Sequence, residues 1–179
     1  RQGRSKDGND YTDPSVIKMI HLNARKKIPI HKYLNSLNVV PVSISYEKDP
    51  NDVRKANELY LTDLNQEYIK EPKEDLISIA EGIRGQKGNV HLHVGRVINF
   101  ENDSYEQCSE EITLAIKSEY KNHATNYAAA IIQGKNTNIG SFSNHDINGA
   151  INYLTTKTNE MPEEMQSYFL SQYSRSLEL

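Results

Sequence analysis

Hydrophobic and polar positions follow two different periods along this chain. Two short segments alternate every second residue, as strands do, while most others repeat apolar residues at helical spacing. The first predicted strand covers 39–46 and places Val42, Ile44 and Tyr46 on one side. The second begins at Val90 and alternates apolar residues with histidines, so we expect one wetter face. Pro41 cannot donate a ladder hydrogen bond and is expected at the start of its strand or at a bulge.

The remaining apolar repeats predict helices, and several have recognisable starts. Asp13 and Pro14 form a helix start, as N-cap and first helical residue. Asp103 and Glu106 stand at the spacing of a capping box. The helices are expected at about 13–27, 30–37, 53–61, 73–84, from 103 onward, 146–156 and 162–174. In the helix at 73–84, the residues expected to face inward are Leu76, Ile77, Ala80 and Ile83.

This order of elements predicts an α/β fold with a partial sheet and flanking helices, followed by an all-helical tail. We expect an α/β domain at 1–100 and a helical region at 101–179. Because helices separate the two strands, they are expected to be parallel neighbours. Two strands are too few for a stable sheet. We therefore expect further strands upstream of Arg1, and an exposed apolar face or sheet edge that favours self-association.

Composition and charge narrow the possible partners. No run approaches the ~20 apolar residues of a membrane-spanning helix. The single cysteine, Cys108, fits a reducing compartment and a small buried residue on a helix. The net charge is -3, yet the first 32 residues carry eight lysines and arginines against three aspartates. A basic front end suits a phosphate-bearing ligand or an anionic membrane surface. Nucleic acid is not expected, because the basic residues are not interleaved with aromatic residues.

The first eight residues have the composition of an anion-binding loop. Gly3 and Gly8 permit tight backbone geometry. Arg4 offers a planar fork for two phosphate oxygens, Lys6 adds a point charge and Ser5 a hydroxyl donor. Considered alone, this segment would be interpreted as a solvated basic loop, and the strand around Pro41 as a simple buried strand.

Taken in this order, the two segments resemble the third and fourth conserved blocks of the bacterial glycerol-3-phosphate and 1-acylglycerol-3-phosphate acyltransferase family. Residues 82–91 are also similar to that family, so the resemblance covers roughly 1–100. It implies that Arg4 binds the acceptor phosphate and that Pro41 shapes the active-site floor. The substrate-binding residues it implies are Gly3, Arg4, Ser5, Lys6, Gly8 and Pro41. The family's glutamate has no counterpart here, since Arg1 or Gln2 stands in its place.

A second departure concerns the catalytic base. The family uses a His-x4-Asp motif, in which the histidine deprotonates the acceptor hydroxyl and the aspartate orients it. None of the histidines is followed five residues later by aspartate; they are His21, His31, His91, His93, His123 and His145. We therefore expect no catalytic residue in this chain, which alone should be inactive, and a base that lies upstream.

The resemblance implies an enzyme of phospholipid synthesis. It would transfer a fatty acyl group from acyl-CoA or acyl-carrier protein to a hydroxyl of glycerol-3-phosphate or 1-acylglycerol-3-phosphate, without a cofactor or metal. We expect a cytoplasmic protein with peripheral contact at the inner membrane. Arg25, Lys26 and Lys27 are either a surface anchor or ordinary compensation of a helix dipole. The alternative function is a non-catalytic phosphate- or lipid-binding module.

Two histidine patterns suggest other chemistry. His91 and His93 share one strand face and could supply two metal ligands, although no third ligand is near in sequence. A purely structural role for the pair is the competing interpretation, and no metal site is predicted. His145 and Asp146 are adjacent rather than at catalytic spacing, and we expect them near a helix N-cap.

Overall fold

The computed structural model describes residues 7–64, 68 and 71–178, which form two compact units. The helices are α1 (Pro14–His21), α2 (Ile30–Leu37), α3 (Asp52–Asp63), α4 (Glu74–Arg84), α5 (Tyr105–Lys117), α6 (Ala124–Ile132), α7 (Asn144–Asn159) and α8 (Glu163–Ser174). The strands are β1 (Val42–Tyr46) and β2 (Val90–Val94), and a 3-10 turn, Arg175–Glu178, follows α8. The chain is mixed α/β and mostly helical, as predicted in outline. A domain division at residue 100 stays a prediction.

The first unit contains described residues 10–45 and 91–121. It comprises α1, α2, α5 and most of the two strands. Its apolar core joins these helices to the segment after β2; the buried residues are Ile17, Ile30, Leu34, Phe100 and Cys108. The prediction that Cys108 is a small core residue is confirmed, because its side chain is fully buried. Burial raises the pKa of its thiol to about 11.

The second unit contains described residues 7–9, 46–64, 68, 71–90 and 122–178. Its core is formed by α3, α6, α7 and α8 and is rich in alanine; the residues include Ala56, Ala128, Ala129, Leu154 and Phe169, all fully buried. Small residues on α6 let neighbouring helices approach closely. The helices predicted at 146–156 and 162–174 are confirmed, and α7 is three residues longer at its C-terminal end.

The two strands form an antiparallel pair, so the expectation of a parallel pair is wrong. The Gly95 N–H donates to the Pro41 carbonyl at 2.9 Å, and the Glu47 N–H donates to the Asn89 carbonyl at 2.9 Å. The end of β1 and the start of β2 therefore lie at the same edge of the pair, because α3 and α4 return the chain to the edge at which it left. Pro41 lies just before β1, as predicted.

The apolar sides of β1, β2 and α4 point outward, which reverses the expected orientation of α4. On β1 the buried side chains are Ser43 and Ser45, while Val42, Ile44 and Tyr46 are exposed. On α4 the buried residue is Ser78, and the residues expected inward are exposed: Leu76, Ile77, Ala80 and Ile83. Periodicity identifies which residues share a face, but not which face is buried.

Two helix ends differ from their predictions. The α-helix that starts at Asp13 ends at His21, and residues 22–27 form turns. The buried His21 ring hydrogen-bonds the Tyr105 hydroxyl and the Ile28 carbonyl, and so holds these turns. Ser104 rather than Asp103 caps α5. The Asp103 carboxylate instead accepts the Ile30 N–H at 2.8 Å.

Candidate functional site

Most of the predicted phosphate-binding loop lies outside the described residues: Gly3, Arg4, Ser5 and Lys6. Its last member, Gly8, belongs to the second unit and has a positive φ of 78°. A Cβ atom there would overlap the backbone oxygen of Gln172 on α8. The neighbouring Asp7 forms an ion pair with Arg175 at 2.5 Å. The chain after the loop is therefore anchored against the end of α8.

Pro41 belongs to the first unit and is buried. Its ring packs on Gly95, where an added Cβ would lie only 2.8 Å from the Pro41 Cγ. Glycine at position 95 therefore lets the two backbones approach at the start of β1. Two positions further on, the Ser43 hydroxyl is buried and has no hydrogen-bond partner within the described residues.

A buried polar network in the second unit was not predicted from the sequence. The Lys157 Nζ on α7 lies 2.7 Å from both oxygens of Asp52, which is 1% exposed at the start of α3. The Tyr173 hydroxyl donates to the same carboxylate at 2.7 Å and accepts the Asp49 N–H at 3.1 Å. Burial, together with the Asp52 charge, raises the pKa of Tyr173 well above its ordinary value.

The ammonium group of Lys157 stays charged in this environment. Burial by itself would lower its pKa, but the hydrogen bonds and charge of Asp52, with a smaller contribution from Tyr153, raise the pKa above its ordinary value. Tyr153 and Lys157 stand four apart on α7 and therefore share a face. That spacing was the one signal in the sequence, and it gave no hint of a partner 105 residues away.

Beside this network is an open groove of about 680 Å³, which we call the α4–α7 groove. Its apolar wall includes Pro50 and, on α4, Ile77 and Ala80. Tyr153 and Lys157 of α7 also line the groove, as does Arg84 at the end of α4. The groove thus combines an apolar wall with charged groups.

A second pocket, of about 510 Å³, lies on the other side of Tyr153. Its polar lining includes Lys48, His123 and His145. The Lys48 Nζ lies 4.7 Å from the centre of the Tyr153 ring, a cation–π contact. Asp146 also lines the pocket, but its carboxylate accepts the N–H and hydroxyl of Ser143 in a capping box. The expectation that His145 and Asp146 lie at a helix N-terminus is confirmed.

The two strand histidines lie close together without forming a metal site. The rings of His91 and His93 are stacked with centroids 6.4 Å apart. His93 Nε2 lies 3.7 Å from a carboxylate oxygen of Glu119. Within residues 7–64, 68 and 71–178, no group of three or more His, Cys, Asp and Glu side chains could hold a metal ion.

An apolar sheet face is exposed on the first unit. Val42, Ile44, Leu92 and Val94 are between 44% and 63% exposed, and they lie on the same side of the two strands. This confirms the expectation of an exposed apolar face. Soluble monomers rarely expose contiguous apolar patches of this kind, and such patches mark interaction surfaces.

α1 and the turns after it carry a second mixed surface, which we call the basic–apolar patch. Its apolar side chains are Met19, Ile20, Leu22 and Ile28, all at least 41% exposed. Arg25, Lys26 and Lys27 lie in the same turns and are exposed. None of the described helices is long and apolar enough to cross a membrane.

Comparisons of the chain with protein-family models, with curated proteins and with solved structures find no match.

Proposed function

We propose that this chain is the acceptor-binding portion of a glycerolipid acyltransferase. The enzyme would transfer a fatty acyl group from acyl-CoA or acyl-carrier protein to glycerol-3-phosphate or 1-acylglycerol-3-phosphate. The proposal starts from the order of two segments, a Gly-Arg-Ser-Lys loop followed by an apolar strand that begins after Pro41. The observation that carries it furthest is the exposed apolar face of that strand, with Val42 48% and Ile44 44% exposed.

This face supports the proposal because an exposed contiguous apolar face marks an interaction surface. The inner face of β1 is already covered, since Ser43 and Ser45 are each 1% exposed. An apolar outer face then suits a sheet that continues into, and is covered by, other elements of the enzyme. We propose that those elements carry the His-x4-Asp motif that the present chain lacks.

In the proposed reaction, this chain would bind the acceptor and the other portion of the enzyme would supply the catalytic base. Arg4 would hold the acceptor phosphate through paired hydrogen bonds. The histidine of the other portion would remove the proton from the acceptor hydroxyl, which then attacks the thioester carbonyl. The carbon–sulfur bond breaks, the sulfur takes the proton back from the histidine and leaves as a thiol, and an oxygen ester forms.

Acceptor binding by this chain tests the role of Arg4. Calorimetric titration with glycerol-3-phosphate should show saturable binding, and Arg4→Ala should weaken it by about tenfold or more, as expected for the loss of charge-assisted hydrogen bonds. Arg25→Ala is the matched control, because Arg25 is exposed in the turns after α1 and should not affect acceptor binding. Equal loss in both variants would indicate general charge attraction and contradict the role of Arg4.

Membrane contact at the basic–apolar patch is part of the same proposal, with the protein in the cytoplasm at the inner membrane. Basic residues add attraction to anionic lipids, and exposed apolar residues can enter the interface. Vesicles of phosphatidylglycerol should sediment the chain, whereas phosphatidylcholine vesicles should not. Replacing Lys26 and Lys27 by glutamate should abolish this sedimentation; unchanged sedimentation would contradict the contact.

The alternative is a non-catalytic module that binds phosphate or anionic lipid. The observation that favours it is the absence of aspartate five residues after any of the six histidines in this chain. Under this alternative the natural protein would bind glycerol-3-phosphate or anionic vesicles but would form no acyl ester from a thioester donor.

A further inference from the structure

We propose that the α4–α7 groove of the second unit binds the carboxylate and acyl chain of one fatty-acid molecule. This site uses none of the residues assigned to the phosphate-binding loop, and it goes beyond the proposed acyl transfer, on which it does not depend.

The apolar wall of the groove favours a hydrocarbon chain. Ile77 and Ala80 stand three apart on α4, so they lie on one face of the helix, next to Pro50. Ile77 is 46% exposed although it is a large aliphatic residue. A chain laid along this wall would remove apolar surface from water on both sides of the contact, which is the main source of affinity in apolar pockets.

Among the charged residues that line the groove, Arg84 is the one without a partner in the described part of the chain. Asp49 is held by Lys55 at 2.5 Å, and Glu81 accepts two hydrogen bonds from Arg54 at 2.7 and 3.1 Å. Lys157 is held by both oxygens of Asp52. Arg84 makes no hydrogen bond or ion pair with the part of the chain that the structure describes.

The unpaired guanidinium group of Arg84 favours a ligand with a carboxylate headgroup. A guanidinium group matches a carboxylate through two parallel hydrogen bonds. One unpaired positive charge balances a monoanion, whereas a phosphate dianion would place excess negative charge near Asp49 and Glu81. A fatty-acid carboxylate therefore fits Arg84 better than a phosphate monoester does.

The size of the groove suits a single small molecule. Its volume of about 680 Å³ falls within the ~300–1,000 Å³ of typical ligand sites. Every group used in this argument belongs to the second unit.

Calorimetric titration of the 179-residue chain with dodecanoate, below its micelle concentration, tests the site. The expected result is saturable binding of one molecule, with dodecyl phosphate weaker and dodecyltrimethylammonium without measurable affinity. Arg84→Gln should weaken dodecanoate binding by about tenfold, as expected for losing a charge-assisted hydrogen bond at a partly exposed site. Arg96→Gln is the matched control, since Arg96 is exposed and lies in the first unit.

Three further variants separate the groove from the exposed sheet face. Ala80→Asp places a carboxylate on the groove wall and should abolish binding. Ile77→Ser is a milder change of the same wall that should weaken binding, and it replaces Ala80→Asp if that variant does not fold. Leu92→Ser changes the sheet face and should leave binding intact. Equal affinity of Arg84→Gln and the unsubstituted chain would overturn the proposal, as would tighter binding of dodecyl phosphate. Loss of binding in Leu92→Ser alone would assign dodecanoate to the sheet face and also overturn it.

Discussion

Lys157, whose side chain is 26% exposed, and the fully buried Asp52 form an ion pair that joins the start of α3 to α7. The lysine Nζ lies 2.7 Å from each carboxylate oxygen, and Asp52 is 1% exposed. The Asp52 carboxylate also accepts a hydrogen bond from the Tyr173 hydroxyl, and Asp52 is the first residue of α3. Because a buried charge without its partner is costly, this pair should govern the stability of the second unit.

Lys157→Met should therefore lower the free energy of unfolding by about 3–5 kcal/mol, because it leaves the Asp52 carboxylate buried and unpaired. Chemical denaturation measures the change. Lys135→Met is the matched control, since the Lys135–Glu178 pair is exposed to solvent and should contribute little to stability. Equal losses in the two variants would contradict the importance of the buried pair.

The same pair predicts a dependence on alkaline pH. The pKa of Lys157 is raised above its ordinary value of 10.5 in the folded protein. Its contribution to stability is thus fully present below pH 10.5 and is lost as pH rises through the raised native pKa. The difference in stability between the unsubstituted chain and Lys157→Met should begin to shrink only above pH 10.5. A decline that begins near pH 8 would contradict this assignment.

Two serines on the same face of β1 should respond in opposite directions to alanine. The Ser45 hydroxyl donates to the Lys121 carbonyl at 2.8 Å, so Ser45→Ala should cost about 1 kcal/mol. The buried Ser43 hydroxyl has no partner among the described residues, so Ser43→Ala should be neutral or stabilise by up to about 1 kcal/mol. Thermal or denaturant unfolding compares them, and a larger loss for Ser43→Ala would show that its hydroxyl has a partner.

Two glycines with similar positive φ angles separate backbone strain from steric overlap. Gly134 has a φ of 72° and nothing within 4 Å of an added Cβ, so Gly134→Ala should cost only about 1 kcal/mol. Gly8 has a φ of 78°, and its added Cβ would overlap the Gln172 backbone. Gly8→Ala should therefore cost clearly more, or release the segment from α8. Similar unfolding midpoints for the two variants would argue against the packing of Gly8 on α8.

The exposed sheet face predicts self-association of this chain. Sedimentation velocity should show a species that grows with concentration, because Ile44 and Leu92 present apolar surface to water. Replacing both by threonine should shift the chain towards the monomer. Leu114→Thr changes an equally exposed leucine on α5, 59% exposed, and should have little effect. A strictly monomeric unsubstituted chain would contradict this use of the face.

The sequence predicted the positions of elements better than the way they pack. α2 was predicted at its observed bounds, 30–37. The predicted orientation of α4 was wrong, because its amphipathic pattern shows which residues share a face but not which face the rest of the protein covers. The antiparallel pairing of β1 and β2 was also missed, because it depends on where α3 and α4 return the chain.

The candidate site was only partly visible in the sequence. The resemblance indicated Gly8 and Pro41, whose binding roles stay predictions; the structure shows a positive φ at Gly8 and close packing of Pro41 on Gly95. The α4–α7 groove and the Asp52–Lys157 pair could not be predicted. Their parts are far apart in the sequence, with Asp52 and Lys157 separated by 105 residues, and no local pattern records such a contact.

Acyl transfer to a glycerol-phosphate acceptor is tested with the protein purified from its natural source. Its intact mass would be measured, and it would be incubated with an acyl thioester and glycerol-3-phosphate or 1-acylglycerol-3-phosphate while mass spectrometry follows the products. We expect a mass above 20.4 kDa, a His-x4-Asp motif in the additional sequence, and an acyl ester whose formation is lost in Arg4→Ala. A protein of 20.4 kDa that binds the acceptor but forms no ester would contradict this expectation and leave the non-catalytic phosphate- or lipid-binding module.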